Sequence, residues 1–263
     1  MPSAGARKPL GLPGTCEAKR SWAPPLLSRA SRYPSAPRTV VARADPLFRI
    51  PESMDLDFER LTEHQRYKLM ASLIIPRPIA LVTTVDERGV VNAAPFSMFN
   101  MLGEEPPIVM ISINKRDDGR MKDTARNILA SGEFVVHLVD ESIAERMHRC
   151  GEYFPPEVSE VDEVGFTTAA SRAVRPPRIV ESPVSLECTL YERIETASRH
   201  IFIGRIRWMH ARDDLIDLER YRVRLQNYFP VARFGASFYA RTRDRFAMNA
   251  SPHPEKPNTI DEL

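Results

Sequence analysis

The run Asn114 to Asn127, NKRDDGRMKDTARN, gathers the groups that a phosphate needs. Lys115, Arg116 and Arg120 supply positive charge, and Lys122-Asp123-Thr124 stands where a helix opens. A helix start carries free backbone N–H groups and the positive end of the helix dipole, which favour an anion. Arginine adds forked, charge-assisted hydrogen bonds, and Thr124 adds a hydroxyl. The same residues also suit an ordinary charged loop in which Asp123 or Thr124 caps the helix. Both readings stand on chemistry alone.

A second stretch, Arg77 to Asn100, reads RPIALVTTVDERGVVNAAPFSMFN. Pro78–Val85 is expected to be a strand, apolar on both faces. Asp86-Glu87-Arg88-Gly89 is a turn, with Gly89 supplying the positive φ that such turns need. Val90–Ala94 returns and runs into Asn92-Ala93-Ala94-Pro95-Phe96-Ser97. Compact, amide and proline residues there let the backbone come close to something flat. One stretch offers a surface for a planar ring and the other a grip for phosphate. A phosphorylated, planar, redox-active ligand such as FMN would use both.

Self-contained catalytic sets are missing from the sequence. There is no G-x-S-x-G, no H-E-x-x-H, no P-loop and no G-x-G-x-x-G. The six histidines, at 64, 137, 148, 200, 210 and 253, have no metal-ligand spacing. His137 lies within a strand, between Val136 and Leu138, and reads as a structural histidine. His148 and Cys150 close a short helix, and no basic partner marks the thiol as reactive. Any demanding chemistry therefore falls to a bound cofactor.

The surrounding elements follow from periodicity. Phe58–Ser72 has helical spacing, with Thr62 as N-cap and Leu61, Gln65, Leu69 and Leu73 on one face. Pro107–Ile113 is a buried strand. Met121–Ser131 is a helix closed by Gly132. Glu133–Val139 is a strand, Ser142–Cys150 a short helix, and Tyr153–Pro183 mostly loop. Val184–Tyr191 alternates as a half-buried strand, with Ser185 and Glu187 on its polar face. Ile201–Met209 is another strand, followed by a polar helical stretch near Leu218–Leu225. Phe229, Phe234, Phe238 and Tyr239 either pack the barrel or cover the flavin of a second subunit, and packing is favoured because aromatics gain most where buried. Many strands with few helices argue for a closed antiparallel sheet over a doubly wound parallel one.

The 263 residues suit one large domain or two small ones, and composition is ordinary for a globular chain, 43% apolar and 27% charged. Charge is uneven. Residues 1–53 hold nine Lys or Arg against three Asp or Glu, and the remaining 28 and 32 leave the rest of the chain at −4. The basic pI belongs to this first stretch, so nucleic-acid binding is not expected. With nine prolines and no periodicity it reads as disordered or non-native, before a domain over 54–250 and a flexible tail over 251–263. An Arg- and Ser-rich start would also suit a transit peptide; its prolines break any amphipathic helix, and a start at Met54 is favoured. Three scattered cysteines and no apolar run of membrane-spanning length fit a reduced, cytoplasmic setting.

Ile75-Pro76-Arg77-Pro78-Ile79-Ala80-Leu81-Val82-Thr83-Thr84, then Asn92–Ser97 with Phe99-Asn100, then Pro106-Pro107, resembles the flavin reductase-like proteins. Lys122-Asp123-Thr124 with Asn127, Glu181-Ser182-Pro183-Val184 and Gly204 extend the match across roughly residues 60–245. The resemblance implies a mainly β, FMN-binding split β-barrel, a Greek-key antiparallel barrel with a few peripheral helices. It also implies a homodimer with FMN near the subunit interface, reduced by NAD(P)H. An FMN electron-transfer protein without its own nicotinamide site, or a non-redox flavin-binding module, is the alternative. The electrons would pass on to a monooxygenase or another acceptor.

Carried over by position, Asn92, Ala94, Pro95, Phe96 and Ser97 would lie along the isoalloxazine. Ser97 and Asn100 would make polar contacts to ring or ribityl chain. Thr83 and Thr84 would lie near ribityl and phosphate, and Lys122, Asp123 and Thr124 at the phosphate end. Arg77 would reach the phosphate or the ring carbonyls, or is a surface residue fixed by its flanking prolines. Where many relatives have asparagine in the strand after the helix, this chain has His137, read as a packing change.

Overall fold

The computed structural model describes residues 54–246. The proposed disordered start over 1–53 and tail over 251–263 lie outside the described residues. The chain runs through α1 (Glu63–Leu73), β1 (Arg77–Pro78), β2 (Ala80–Val85), β3 (Val91–Phe96), β4 (Phe99–Glu104) and β5 (Pro107–Asn114). Then come α2 (Asp123–Ser131), β6 (Glu133–Leu138), α3 (Ala144–Arg149), α4 (Glu160–Glu163), β7 (Thr168–Ala169) and β8 (Arg178–Ile179). The long β9 (Val184–Glu195) and β10 (Arg199–Ala211) follow, with β11 (Ile216–Asp217), β12 (Arg222–Val223), β13 (Val231–Gly235) and β14 (Phe238–Arg241).

Seven strands form one antiparallel sheet in the order β3-β2-β6-β9-β10-β5-β4. Its two end strands, β3 and β4, are consecutive in the chain. They are joined by Ser97-Met98, and the Met98 carbonyl accepts from the Ser112 N–H of β5 at 2.8 Å. The sheet thereby curls back on itself as a split barrel. Inside it pack Val82, Phe96, Ile111, Ile113, Phe134 and Phe202. Gly204 is required on β10: a Cβ there would stand 2.3 Å from the Phe134 ring. A second cluster, with Leu81, Ala93, Ile143, Met147 and Val161, lies under α3 and α4.

α1 begins with the expected cap. Thr62 accepts from the Gln65 N–H and the Gln65 side chain returns the bond. Yet α1 buries no residue, and Tyr67, Met70 and Leu73 are exposed.

Four expectations fail. Leu218–Leu225 is not helical; it forms the β11–β12 hairpin and a 3-10 turn at Leu225–Asn227. Asp217 shapes this hairpin by accepting from the Glu219 and Arg220 N–H groups. Ser185 and Glu187 are buried, because the 171–180 loop covers the outer face of β9. There the Glu187 carboxylate takes the Arg172 and Ala173 N–H groups and contacts His210 Nε2 at 2.6 Å. Phe234 and Phe238 do not pack the core. They are exposed on β13 and β14, which with β1 form a separate three-stranded sheet. Neither Asp123 nor Thr124 caps α2; its N-cap is Lys122, with no side-chain cap bond.

Candidate functional site

β3 is an end strand of the sheet, paired to β2 on one side only. On its open side the Ala93 N–H donates to the Glu160 carboxylate of α4 at 2.9 Å. Backbone N–H groups alternate along a strand, so the next outward position is Pro95, which has none to satisfy. A proline is tolerated there and leaves a plain backbone edge. Burial pushes the Glu160 carboxyl up, against the pull of the Ala93 N–H. From Asn92 to Ser97 the chain advances roughly 16 Å at the usual strand rise.

One end of this edge is anchored to α2. Asn92 Nδ2 donates to Thr124 Oγ1 at 2.9 Å, and Asn127 Nδ2 donates to Thr84 Oγ1 at 3.1 Å. All four residues are buried. Thr83, also buried, donates to the Pro177 carbonyl at 2.7 Å. These side chains lock α2 against β2 and β3 and so fix where the helix opens.

At that opening the first-turn N–H groups have no side-chain cap. Lys122 is half-buried beside Arg116 and Arg199. Burial and these two like charges push its ammonium below the usual lysine range. Asp123 does not face outward as an acceptor. It binds Arg116 at 2.7 Å and Arg126 at 2.5 Å, fixing both guanidinium groups. A cleft of about 620 Å³ adjoins, lined by Lys115, Arg116, Arg120, Arg126 and His200 among others. His200 is buried, stacked on Phe202, and neither ring nitrogen has a hydrogen-bond partner.

The other end of the edge meets Arg77. Its Nε donates to Ser97 Oγ at 3.4 Å, and Nη1 donates to the Ala71 and Ile74 carbonyls at the end of α1. Arg77, Pro95, Phe96 and Ser97 line a second cleft, of about 610 Å³. The two ends are joined over the surface. Tyr67 of α1 has its ring 5.9 Å from the Arg199 guanidinium and is an electrostatic neighbour of Arg77 as well. Arg199 in turn donates to the Ser112 carbonyl at 3.4 Å and flanks Lys122. A line of groups thus runs from Ser97 through Arg77, Tyr67 and Arg199 to Lys122.

Of the remaining residues selected from the sequence, Ala94 is half-buried in β3. Asn100 is exposed on β4, its Oδ1 accepting from the Met101 N–H, and it lines neither cleft. Sequence reasoning missed Arg199, Tyr67 and Glu160. Arg199 reaches the site because it stands opposite Asn114 in the β10–β5 register, a pairing that no local motif announces.

His137 has the structural part expected of it. Nδ1 meets the Leu81 carbonyl at 2.9 Å and Nε2 accepts from the Ile179 N–H at 2.8 Å, which fixes one neutral tautomer. Burial lowers its pKa to about 4. Burial likewise pushes the Cys150 thiol up to about 12, which leaves it unreactive. No described helix is long and apolar enough to cross a membrane. Among the described residues no group of three or more His, Cys, Asp or Glu is placed to hold a metal.

The flavin reductase like domain matches residues 70–227, more than half of the chain. An uncharacterized protein of Aquifex aeolicus is 42% identical over 175 residues, 66% of this chain and 89% of the relative. Among solved structures, the 2-nitrobenzoate 2-nitroreductase of Pseudomonas fluorescens is 39% identical at a TM-score of 0.69, covering 78% of this chain and 98% of that one. Nitrilotriacetate monooxygenase component B from Bacillus cereus is 32% identical at a TM-score of 0.71, covering 75% and 99%. With this barrel, this strand edge and these relatives, the chain belongs to the flavin reductase-like domain family.

Proposed function

We propose that the protein is an FMN-binding oxidoreductase that takes hydride from NAD(P)H, acting as a homodimer. The observation that carries the reading is the line of groups joining the bare edge of β3 to the uncapped start of α2. The residues present fit the cofactor. Lys122, at the uncapped start of α2, has Arg116 and Arg199 as like-charged neighbours, and the His200 ring nitrogens have no hydrogen-bond partner. A phosphate would be held there by Lys122, Arg116 and Arg199. The isoalloxazine would lie along Ala94, Pro95, Phe96 and Ser97.

Held by these residues, a flavin would supply the hydride-transfer chemistry. The chain's own part is orientation and charge. Arg77, held by two helix-end carbonyls, keeps a cation beside the Ser97 hydroxyl. A fixed cation next to a ring favours the reduced, more negative form without any rearrangement at the moment of transfer. Gly151 lies close against Pro95, where a Cβ would stand 3.3 Å from the proline ring, and this contact would shield one side of the edge. Thr83, Thr84 and Asn92 hold this shelf in place. No acid, base or nucleophile is needed.

The homodimer is supported by apolar surface exposed among the described residues. Tyr67, Met70 and Leu73 of α1, Ile74 just after it, and Phe234 and Phe238 are exposed. Such a surface suits a second copy. An electron acceptor such as a monooxygenase partner fits the 32% identical relative, which is named as a monooxygenase component.

The test is rapid mixing of FMN-loaded protein with NADH and with NADPH. Bleaching of the flavin band by at least one is expected. If neither acts while dithionite does, the protein is an electron carrier without its own nicotinamide site.

A further inference from the structure

Arg77 and Arg233 stand directly opposite each other where β1 pairs with β13. Like charges at such positions oppose strand pairing. Elsewhere on this molecule neighbouring cations share a carboxylate: Arg116 and Arg126 share Asp123, and Lys115 and Arg193 share Glu195. The cleft of about 610 Å³ beside the β3 edge has no such relief. Its ionisable lining includes His64, Lys68, Arg77, His148 and Arg233 and, among the described residues, no Asp or Glu. Burial and the Arg233 charge both act to lower the Arg77 pKa.

Apolar and aromatic groups complete much of the lining, Ile79, Pro95, Phe96 and Met147 alongside Tyr67 and Tyr239, with Ser72 and Ser97 adding hydroxyls. The cations are held in place. The Arg233 guanidinium lies 4.8 Å from the Tyr239 ring centre and donates to the Ala236 carbonyl. His148 Nδ1 is 2.8 Å from the Tyr239 hydroxyl. A cross-strand arginine pair over aromatic walls, in a cleft of small-molecule size, calls for a planar anion.

We infer that this cleft binds an aromatic carboxylate, its carboxylate between Arg77 and Arg233 and its ring among Pro95, Tyr67 and Tyr239. Guanidinium groups suit a planar carboxylate, and Arg77 is fixed for that role by its Nε and Nη1 bonds within the chain. The aromatic body takes the place of water against the apolar wall. The placement beside the flavin rests on the reading above, since the same cleft reaches Pro95 and Ser97. The compound would therefore dock next to the isoalloxazine.

The experiment titrates FMN-loaded full-length protein with benzoate and follows the flavin absorbance. Benzoate is expected to perturb the spectrum, and neutral benzamide to bind about tenfold more weakly or worse. Arg233→Ala should weaken benzoate by about tenfold, and Lys68→Ala, on the surface of α1, in the same direction, with FMN affinity held within about twofold. Equal binding of benzoate and benzamide overturns the inference. So does an Arg233→Ala loss of FMN affinity as large as the loss for benzoate, because the anion would then be the flavin's own phosphate. If benzoate does not bind but Arg233→Ala weakens NADPH, the cleft serves the phosphates of the nicotinamide donor and the inference also fails. A protein that takes no FMN defeats the flavin reading instead; calorimetry with benzoate on that protein then reads the anion site by itself.

Discussion

Two polar regions meet at the α2–β3 junction, and they are built on opposite rules. Beneath the site, Thr83, Thr84, Asn92, Thr124, Asn127 and His137 are buried, and each is bonded to another protein group. Over the site, Lys122, Arg116, Arg199 and Arg77 are charged and only partly buried. Like charge stands beside like charge, Arg116 and Arg199 beside Lys122, and Arg233 beside Arg77. A buried group left without a partner costs its full desolvation, so the lower set must be complete for the chain to fold. The repulsion among these like charges opposes folding and is relieved by an anion. Stability and ligand affinity are thus expected to lie on different residues a few ångströms apart.

The largest effect should come from the lower region on acidification. His137 is neutral in the fold, with its pKa lowered to about 4, against an ordinary value of 6.5. Between these two pH values the unfolded chain binds a proton that the folded one does not. The stability it contributes is complete above pH 6.5 and is lost as pH falls from there toward 4. The loss amounts to roughly 3 kcal/mol. Chemical denaturation from pH 7 down to pH 4 should show that slope, and His137→Gln should flatten it. A slope unchanged in the variant would place the acid-sensitive group elsewhere.

Asn127→Leu comes next. It removes the donor to Thr84 and keeps the side-chain volume, so about 1–3 kcal/mol of stability should go. FMN affinity should change far less, because Asn127 is buried on the inner face of α2, bonded to Thr84 of β2. Calorimetric melting and FMN titration on the same sample separate the two. Unchanged melting with lost FMN binding would mean that the buried set touches the ligand, and the division between the regions would fail.

How far each region was legible in the sequence follows the same line. The β-hairpin at Gly89, the helix closing at Gly132 and the cap at Thr62 are local, and local patterns revealed them. The cations of the 115–122 loop were visible for the same reason. Arg199 was not, because strand register alone brings it to Lys122 across a long separation in sequence. Glu187 looked like a solvent-facing residue of an alternating strand. Only the loop folded over β9, with two backbone N–H groups and His210 aimed at its carboxylate, puts it inside. Phe234 and Phe238 were read as core by composition. They stand at exposed positions of a small three-stranded sheet, in which Val231 and Ala232 are buried and the two phenylalanines are not.

Lys122→Ala gives the smallest change in free energy and tests the upper region most directly. Lys122 has Arg116 and Arg199 as like-charged neighbours and Asp117 as its opposite charge. Removing the ammonium relieves repulsion and desolvation, so the melting temperature should stay level or rise. The same change takes one charge-assisted bond from a phosphate, a loss of about 1.5–2 kcal/mol, or at least tenfold in FMN affinity. The loss should shrink as salt is raised, since ions screen the remaining attraction too. Riboflavin, which lacks the phosphate, should bind wild type and variant alike. If Lys122→Ala weakens riboflavin as much as FMN, the ammonium meets the ring and not the phosphate, and the orientation proposed along β3 is reversed.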